Sequence, residues 1–388
     1  MWAKPFSPYR LSIDPGASTP LYQQIARDIR RKILSGQMPV GSQLQPHREL
    51  AVTYGVSVIT INKALSGLVN EGVLHSRVGR GTFVAARPAE SDGVRAPAAL
   101  GFVLRDLASP FFSLVAHAAQ QRADALGYGL LFSSSSNRLD REEEQIQRFC
   151  DMGVNGLIIA SMSRTYRISE PIRVLHDRGF PYVMVSYTAG SEVYFVGTDL
   201  ERCGFLAAQH LIEASRRRIG YVADKFGSMN SELRGSGYRR ALGENGLAVD
   251  PTLLFEYPYE GEWNDYRSGY EIGERVAALK VKPDGVFVFN DLGALGFQDA
   301  LLDCGISVPD DIAVVGLDDI ELAGRARVPL TTVRQPVDRI GALAVDTLLA
   351  RLRGEQTETR KILQPELVVR RSSGRSPESA YQEALAAS

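Results

Sequence analysis

The 388-residue sequence predicts an α/β chain in two parts. A small helical head closed by a β-hairpin comes first, then a body of two lobes, each a parallel sheet covered by helices. Three observations predict this. Within the first 84 positions apolar residues recur at helical spacing in three short segments, followed by two β-type runs about Gly79-Arg80-Gly81. From Ala99 on, short apolar runs alternate with amphipathic helical stretches, the pattern of parallel strands buried on both faces. That body, about 290 residues, exceeds one comfortable hydrophobic core, hence two lobes.

An apolar content of 44% suits packed globular domains, and no run approaches the ~20 apolar residues of a membrane span. The N-terminus, MWAKPFSPYR, carries no apolar signal region, so a cytoplasmic protein without membrane contact is expected. Cys150, Cys203 and Cys304 lie far apart with no CxxC spacing, which favours small buried hydrophobes over a metal site or a disulfide. Residues 1–90 hold eleven Lys/Arg against five Asp/Glu, a net +6. Since the whole chain is −1, the remainder carries −7. A basic head on an acidic body points to a polyanion at the head alone.

The head begins a helix at Thr19-Pro20, an N-cap followed by proline at the first helical position. Leu21, Ile25, Ile29 and Ile33 then form one apolar stripe that Gly36 ends. A second helix over 46–54 turns Leu50 and Ala51 inward, and Gly55 permits a tight turn. Ser57 caps a third helix in which Ile61, Ala64, Leu65 and Leu68 face the core. Val58, Ile59, Thr60, Asn62, Lys63 and Ser66 are left outward. Val73-Leu74 and the run Arg77–Val84 read as a hairpin whose Gly79 and Gly81 let backbone approach a phosphate or minor groove, with Arg77 and Arg80 supplying charge. This is a winged helix-turn-helix, whose third helix enters the major groove of DNA. Asn62 is suited to adenine, Thr60 to a thymine methyl or phosphate, and Lys63 to a phosphate. Gly79-x-Gly81 lacks the third glycine and the helix of a dinucleotide site.

The blocks PLYQQIARDIRRKILSGQMPVGSQL, RELAVTYGVS, TINKALSGLVNEGVL and GRGTFV resemble the GntR family of bacterial winged-helix repressors over residues 19–84. The resemblance implies DNA contact at Arg48, the arginine of the family's S-E-R-E-L-A block. It also marks two departures: Gln45-Pro46-His47 replaces P-S-E or P-T-E, and Val58 and Asn62 stand where many members carry arginine. The expected DNA-binding set is therefore Arg48, Ser57, Val58, Thr60, Asn62, Lys63, Arg77, Gly79, Arg80 and Gly81. Residues 85–97, AARPAESDGVRAP, read as an interdomain linker between a head of residues 1–84 and a body of 98–372.

In the body, strands are expected at 99–104, 129–134, 156–160, 182–186, 194–198, 219–223, 285–290 and 312–317. Helices are expected among others at 111–126, 141–152, 200–213, 239–245 and 291–304. Open α/β sheets bind ligands beyond the carboxyl ends of their strands. Asp106, Phe111 and Phe112 follow the first strand, Asn137 and Asp140 the second, and Ser161 the third. Asp199, the pair Asn290-Asp291 and Asp318 follow later ones. Carboxylates and amides beside aromatic rings suit a polyhydroxylated ligand, because they accept from vicinal hydroxyls while a ring covers the C–H face. Asp140, Asp199 and Asp291 equally occupy helix N-cap positions, and both readings stand. Arg234 in LRGSGYRRAL and Trp263 in EGEWNDYRSGY tip the balance toward binding.

A second resemblance covers about residues 98–372. LGFVLRDLASPFF, DMGVNGLII, YFVGTDLERCGFLAAQHL, ELRGSGYRRAL, PDGVFVFND and GISVPDDIAVVGLDD are similar to the LacI/GalR-type regulator core, related to periplasmic sugar-binding proteins. It implies effector contacts at Arg234, Asn290, Asp291 and Asp318, and a tryptophan stacked on sugar at Trp263. A GntR-type head on this core is similar to arabinose-repressor-type regulators. The chain is thus expected to be a homodimeric repressor that binds operator double-stranded DNA and a sugar-like small-molecule effector between two lobes; release of the DNA by the effector and co-repression both stand. A non-sugar effector such as a purine is the alternative, as is a carbohydrate-binding protein or enzyme without DNA-linked regulation. Arg164 and Arg167 in the basic loop 161–169 suit a solvated surface or an acidic effector. No nucleophile elbow, Walker loop or metal-ligand motif occurs, so no enzyme, cofactor or metal is expected. The tail, 373–388, is polar.

Overall fold

The computed structural model describes residues 20–34, 37–70, 72–77, 81–85, 99–161, 169–185, 193–224, 228–257 and 265–374. The chain divides into two compact units, Met1–Arg95 and Ala96–Ser388.

In the first unit, α1 (Leu21–Leu34), α2 (His47–Tyr54) and α3 (Val58–Asn70) precede β1 (Leu74–Arg77) and β2 (Gly81–Val84). Ile25, Ile29, Leu50, Ile61, Leu65 and Leu68 are almost fully buried in one core, so the inward stripes expected of the three helices meet. Gly55 closes α2 at φ +64°, a conformation that costs other residues, and its N–H bonds Val52 O. Ser57 caps α3 through its Oγ, 3.2 Å from the Thr60 amide. β1 and β2 pair antiparallel, Leu74 opposite Val84 and Arg77 opposite Gly81. Thr19, Gly36, Gly79 and Arg80 lie outside the described residues, as do residues 86–98 of the expected linker.

The second unit starts with β3 (Ala99–Leu104), α4 (Pro110–Ala125), β4 (Gly129–Ser134), α5 (Leu139–Met152), β5 (Gly156–Ile159), α6 (Glu170–Asp177), β6 (Tyr182–Met184) and β7 (Phe195–Thr198). Next come α7 (Leu200–Glu213), β8 (Ile219–Ala223), α8 (Met229–Glu244), β9 (Leu254–Glu256), α9 (Asp265–Ala277), β10 (Gly285–Val288), α10 (Asp291–Asp303), β11 (Ala313–Asp318), α11 (Glu321–Arg325) and β12 (Thr331–Arg334). The chain ends with α12 (Val337–Leu352), β13 (Arg360–Leu363) and β14 (Glu366–Val368). Two six-stranded sheets result, in the orders β13-β7-β6-β5-β3-β4 and β14-β12-β11-β10-β8-β9. All pairings are parallel except β12 with β14. Each sheet is buried on both faces, which explains why its central strands are uninterrupted apolar runs. The chain passes between lobes three times: after β7, after β12 and between β13 and β14.

All eight expected strands form, to within two or three residues at their ends. β9, β12, β13 and β14 were not expected, because three or four residues at a sheet margin carry too little apolar pattern. The helix expected at 239–245 is the end of α8, which begins at Met229. Its buried face contains Ser231, Arg234, Gly235 and Gly237, which hides the helical period. Cys203 is buried, but Cys150 is half-buried and Cys304 exposed, so the expectation of three buried thiols holds for one. Buried Ser372 and Ser373 bind Val314 O, Thr331 and His210, so packing runs past the expected domain end at 372.

Candidate functional site

A cavity of about 290 Å³ lies between the two lobes of the second unit. Its walls come from the carboxyl ends of strands in both sheets. Arg105 and Asp106 follow β3, Thr198 ends β7, Asp224 follows β8, Asn290 follows β10, Asp318 ends β11 and Gln335 follows β12. α4 adds Phe111 and Phe112, whose rings meet edge to face at 5.1 Å.

In the first lobe, Asp106 Oδ1 accepts from the Ala108 amide at 2.9 Å, and Oδ2 from Asn137 Nδ2 at 3.3 Å. Asn137 is in the left-handed region, φ +58°, which asparagine tolerates better than most residues. In the second lobe, Arg234 projects from α8 and is 7% exposed. Gly237 makes this possible: a Cβ there would lie 1.8 Å from Glu201 O on α7, so only glycine lets the two helices approach. Arg234 Nη2 donates to Asp224 Oδ1 at 3.0 Å, and its guanidinium lies 5.4 Å from the Phe289 ring centre. Burial opposes the Arg234 charge, and the nearby Asp224, Tyr221 and Asp318 outweigh it, so its pKa stands above the ordinary arginine value.

Asp318 and Asp319 occupy two successive left-handed positions, φ +122° and +60°. Such residues cost about 1–3 kcal/mol each and persist only where neighbours hold them. Gln335 Nε2 donates to Asp318 Oδ1 at 2.7 Å. Asp319 is gripped by Arg334 at 2.7 Å and Arg370 at 2.6 Å. The strain turns one carboxylate into the cavity and the other into a structural ion pair. Burial, then the charge of Asp291, raises the Asp318 pKa well above the usual carboxylate range.

Of the twelve expected effector residues, Asp106, Phe111, Phe112, Asn137, Arg234, Asn290 and Asp318 line this cavity. Four do not. Asp140 is exposed in the first turn of α5 and pairs with Arg138 at 2.5 Å. Ser161 is buried, donating to Glu142 Oε1 at 2.7 Å. Asp199 caps α7 by accepting from the Arg202 amide at 2.9 Å, the cap reading of that residue. Asp291 is fully buried and accepts from Thr332 Oγ1 and the Ile320 amide; Asn290, not Asp291, caps α10. Trp263, Arg164 and Arg167 lie outside the described residues.

Sequence reasoning missed Arg105, Asp224, Asn230, Asp265 and Gln335. The rule that residues after strands line ligand sites would have found Arg105 and Asp224. Gln335 follows an unrecognised strand, and Asp265 opens a helix and carries no such signal. Asp265 accepts from Asn290 Nδ2 at 2.7 Å, aligning an amide whose oxygen caps α10 through Gly293 N. Among the described residues, buried Arg234 Nε, Asn230 Oδ1 and Thr198 Oγ1 have no hydrogen-bond partner. All three belong to cavity-lining residues, and they come from both lobes.

In the head, Arg48, Asn62 and Lys63 are exposed, with Val58 and Ile59 38% and 79% exposed. Thr60 is half-buried and meets Ser57 Oγ at 2.8 Å. Lys63 Nζ sits 4.2 Å from the Tyr22 ring centre, a cation–π contact that leaves it at the surface. Arg77 is exposed near Phe83. Gly81 has φ +102°, and a Cβ there would meet the Gln43 side chain at 2.7 Å. Asn62 Oδ1 lies 2.7 Å from His47 Nδ1, a contact the sequence did not suggest. No single helix among the described residues is long and apolar enough to cross a membrane.

Two families match: bacterial regulatory proteins of the gntR family over residues 21–84, and the periplasmic binding protein-like domain over 208–373. The arabinose metabolism transcriptional repressor of Geobacillus stearothermophilus is 31% identical over 369 residues, 91% of this chain and 98% of that protein. A LacI family transcriptional regulator from Lactobacillus casei with bound glucose is 28% identical with TM-score 0.59, covering 71% of this chain and 99% of that one. Another from Enterococcus faecium with bound ribose is 25% identical with TM-score 0.61, covering 71% and 98%. These relatives are transcriptional regulators rather than enzymes.

Proposed function

The chain belongs to the family of the arabinose metabolism transcriptional repressor, DNA-binding regulators with a GntR-type head and a periplasmic-binding-protein-like domain, and we propose that a neutral sugar held between its two lobes sets its operator affinity. The observation that carries this is the set of buried, unpartnered polar atoms on Thr198, Asn230 and Arg234. An unsatisfied buried group costs about 1–3 kcal/mol, and closure of the lobes on a ligand rich in hydroxyls recovers part of that cost.

Charge and size narrow the ligand. Leaving out Asp318, whose raised pKa favours its neutral form, three carboxylates (Asp106, Asp224, Asp265) face two guanidiniums (Arg105, Arg234) in the cavity wall, and Arg234 is already paired with Asp224. That balance disfavours sugar phosphates and uronates. A volume of about 290 Å³ is at the low end of the roughly 300–1,000 Å³ of ligand pockets, which suits a monosaccharide. Phe111, Phe112, Phe195 and Phe289 put apolar ring surface in the cavity wall for its C–H groups. The glucose and ribose in the two structural relatives support the same class.

The protein acts in the cytoplasm as a homodimer, its two heads meeting half-sites of an approximately palindromic operator. Arg48 and Arg77 approach phosphates, while Val58, Ile59 and Asn62 at the exposed start of α3 approach base edges. Sugar binding draws the lobes together and respaces the heads, releasing the operator. Moving a population from 1:99 to 99:1 requires about 5.5 kcal/mol of differential affinity between the two states. Isothermal titration with neutral pentoses and hexoses, their phosphates, uronates and purine bases tests the ligand class. Saturable heat with a neutral monosaccharide alone supports it, and binding of a purine or a phosphorylated sugar in its place refutes it.

A further inference from the structure

Two departures of the head from the GntR pattern meet in space. His47 stands where a glutamate is common, and Asn62 where many members carry arginine. The structure brings them into contact, His47 Nδ1 to Asn62 Oδ1, 2.7 Å apart. A carboxamide oxygen only accepts, so the ring nitrogen is the donor and Nδ1 carries the proton. The other ring nitrogen, Nε2, faces Thr82 Oγ1 at 3.4 Å, and Thr82 Oγ1 is 3.2 Å from Ser76 Oγ. Thr82 is 5% exposed and is fixed in β2, while Ser76 belongs to β1. His47, the first residue of α2, thus links an exposed side chain of α3 to both strands of the hairpin.

This contact bears on what Asn62 can read. The paired asparagine–adenine contact needs both amide groups: the oxygen accepts from N6 and the nitrogen donates to N7. The His47 bond takes one of the two lone pairs of the Asn62 oxygen and fixes the rotation of the carboxamide, with its oxygen turned toward His47 and its NH2 turned the other way. We propose that His47 is a specificity-determining positioning residue, which commits Asn62 to donating to a base acceptor, guanine N7 or O6 or thymine O4, in place of the paired adenine contact. The inference rests on the reading of α3 as the helix that meets base edges.

The test uses the full-length protein. A preferred duplex is selected by the wild type from a randomised pool, and binding is measured on it and on its single-base variants. Asn62→Ala flattens the preference at one position of each half-site. His47→Glu offers an acceptor in place of a donor, so the Asn62 carboxamide turns its NH2 inward and its oxygen outward. Preference at that same position then moves toward adenine or cytosine, whose exposed amines donate, by roughly tenfold. His47→Gln, which retains an N–H donor, keeps the wild-type preference, and His47→Glu has no effect on preference when Asn62 is alanine. Thermal melts establish that each variant is folded. If Asn62→Ala flattens one position but His47→Glu leaves the preference there unchanged, the positioning role is wrong and the base-edge reading survives. If Asn62→Ala alters no position, both are wrong.

Discussion

Arg234 Nη2 lies 3.0 Å from Asp224 Oδ1, and both residues line the cavity between the lobes. The pair leaves Arg234 Nε without a partner among the described residues, so the guanidinium is held in place and still has a donor to offer. Arg234→Gln is therefore expected to abolish the response to effector while operator affinity without effector stays within about twofold. Breaking a buried ion pair can cost about 3–5 kcal/mol, so Arg234→Gln/Asp224→Asn, which removes both charges, is the matched control for folding. Gel shifts with and without sugar check both. Loss of operator binding in the folded double variant would count against a sensor role for this pair.

Asp291 and Asp318 give the protein a pH signature. Burial pushes the Asp291 carboxyl up to about 7, against the lowering effect of its bonds from Thr332 and Ile320, and Asp318 is raised too. A raised pKa means that the folded state holds a proton the unfolded chain has released. The stability it contributes is full below about pH 4 and is lost as pH rises through about 7. Asp291→Asn cannot titrate and keeps hydrogen-bonding capacity toward Thr332 and Ile320. Urea midpoints should fall more for wild type than for Asp291→Asn between pH 5 and pH 8; parallel curves would remove Asp291 as the source.

Lys63→Ala is expected to weaken DNA binding and to reduce the slope of log affinity against log salt by about one, if its ammonium neutralises one phosphate. Its stacking on Tyr22 predicts a small loss of head stability, about 0.5–1 kcal/mol for an exposed cation–π pair. An unchanged salt slope takes Lys63 out of the interface.

Gly237→Ala forces a methyl group to within 1.8 Å of Glu201 O, where backbone cannot yield cheaply. A loss of about 1–3 kcal/mol or more is expected. Because α8 carries Arg234, effector affinity should fall with it. A variant of wild-type stability would mean that α7 and α8 are less tightly apposed.

The fold was legible where apolar runs were long. β3, β8 and β11 sit between buried faces, and their sequences, ALGFVL, IGYVA and AVVGLD, are almost entirely apolar. β12, TTVR, was not legible because its burial comes from neighbours rather than from its own pattern, and Gln335 was missed with it. In the candidate site, Arg234 stood out as a costly residue in a loop-to-helix stretch, and Asp318 as a carboxylate directly after a strand. Asp140, Asp199 and Asp291 show the limit: a polar residue after a strand can face a ligand, cap a helix or brace the sheet beneath. Only the packing separates those roles. The His47–Asn62 contact joins residues fifteen positions apart on different helices, and no spacing rule reports it.

The most direct measurement is fluorescence anisotropy of a labelled operator duplex bound to the full-length protein, titrated with neutral pentoses and hexoses. Asp318→Asn is run in parallel. The account predicts that one such sugar weakens operator binding by at least tenfold in wild type and has no effect on Asp318→Asn, which binds the duplex as tightly when sugar is absent. Operator affinity unchanged by every neutral sugar, or an equal response in the variant, would contradict it.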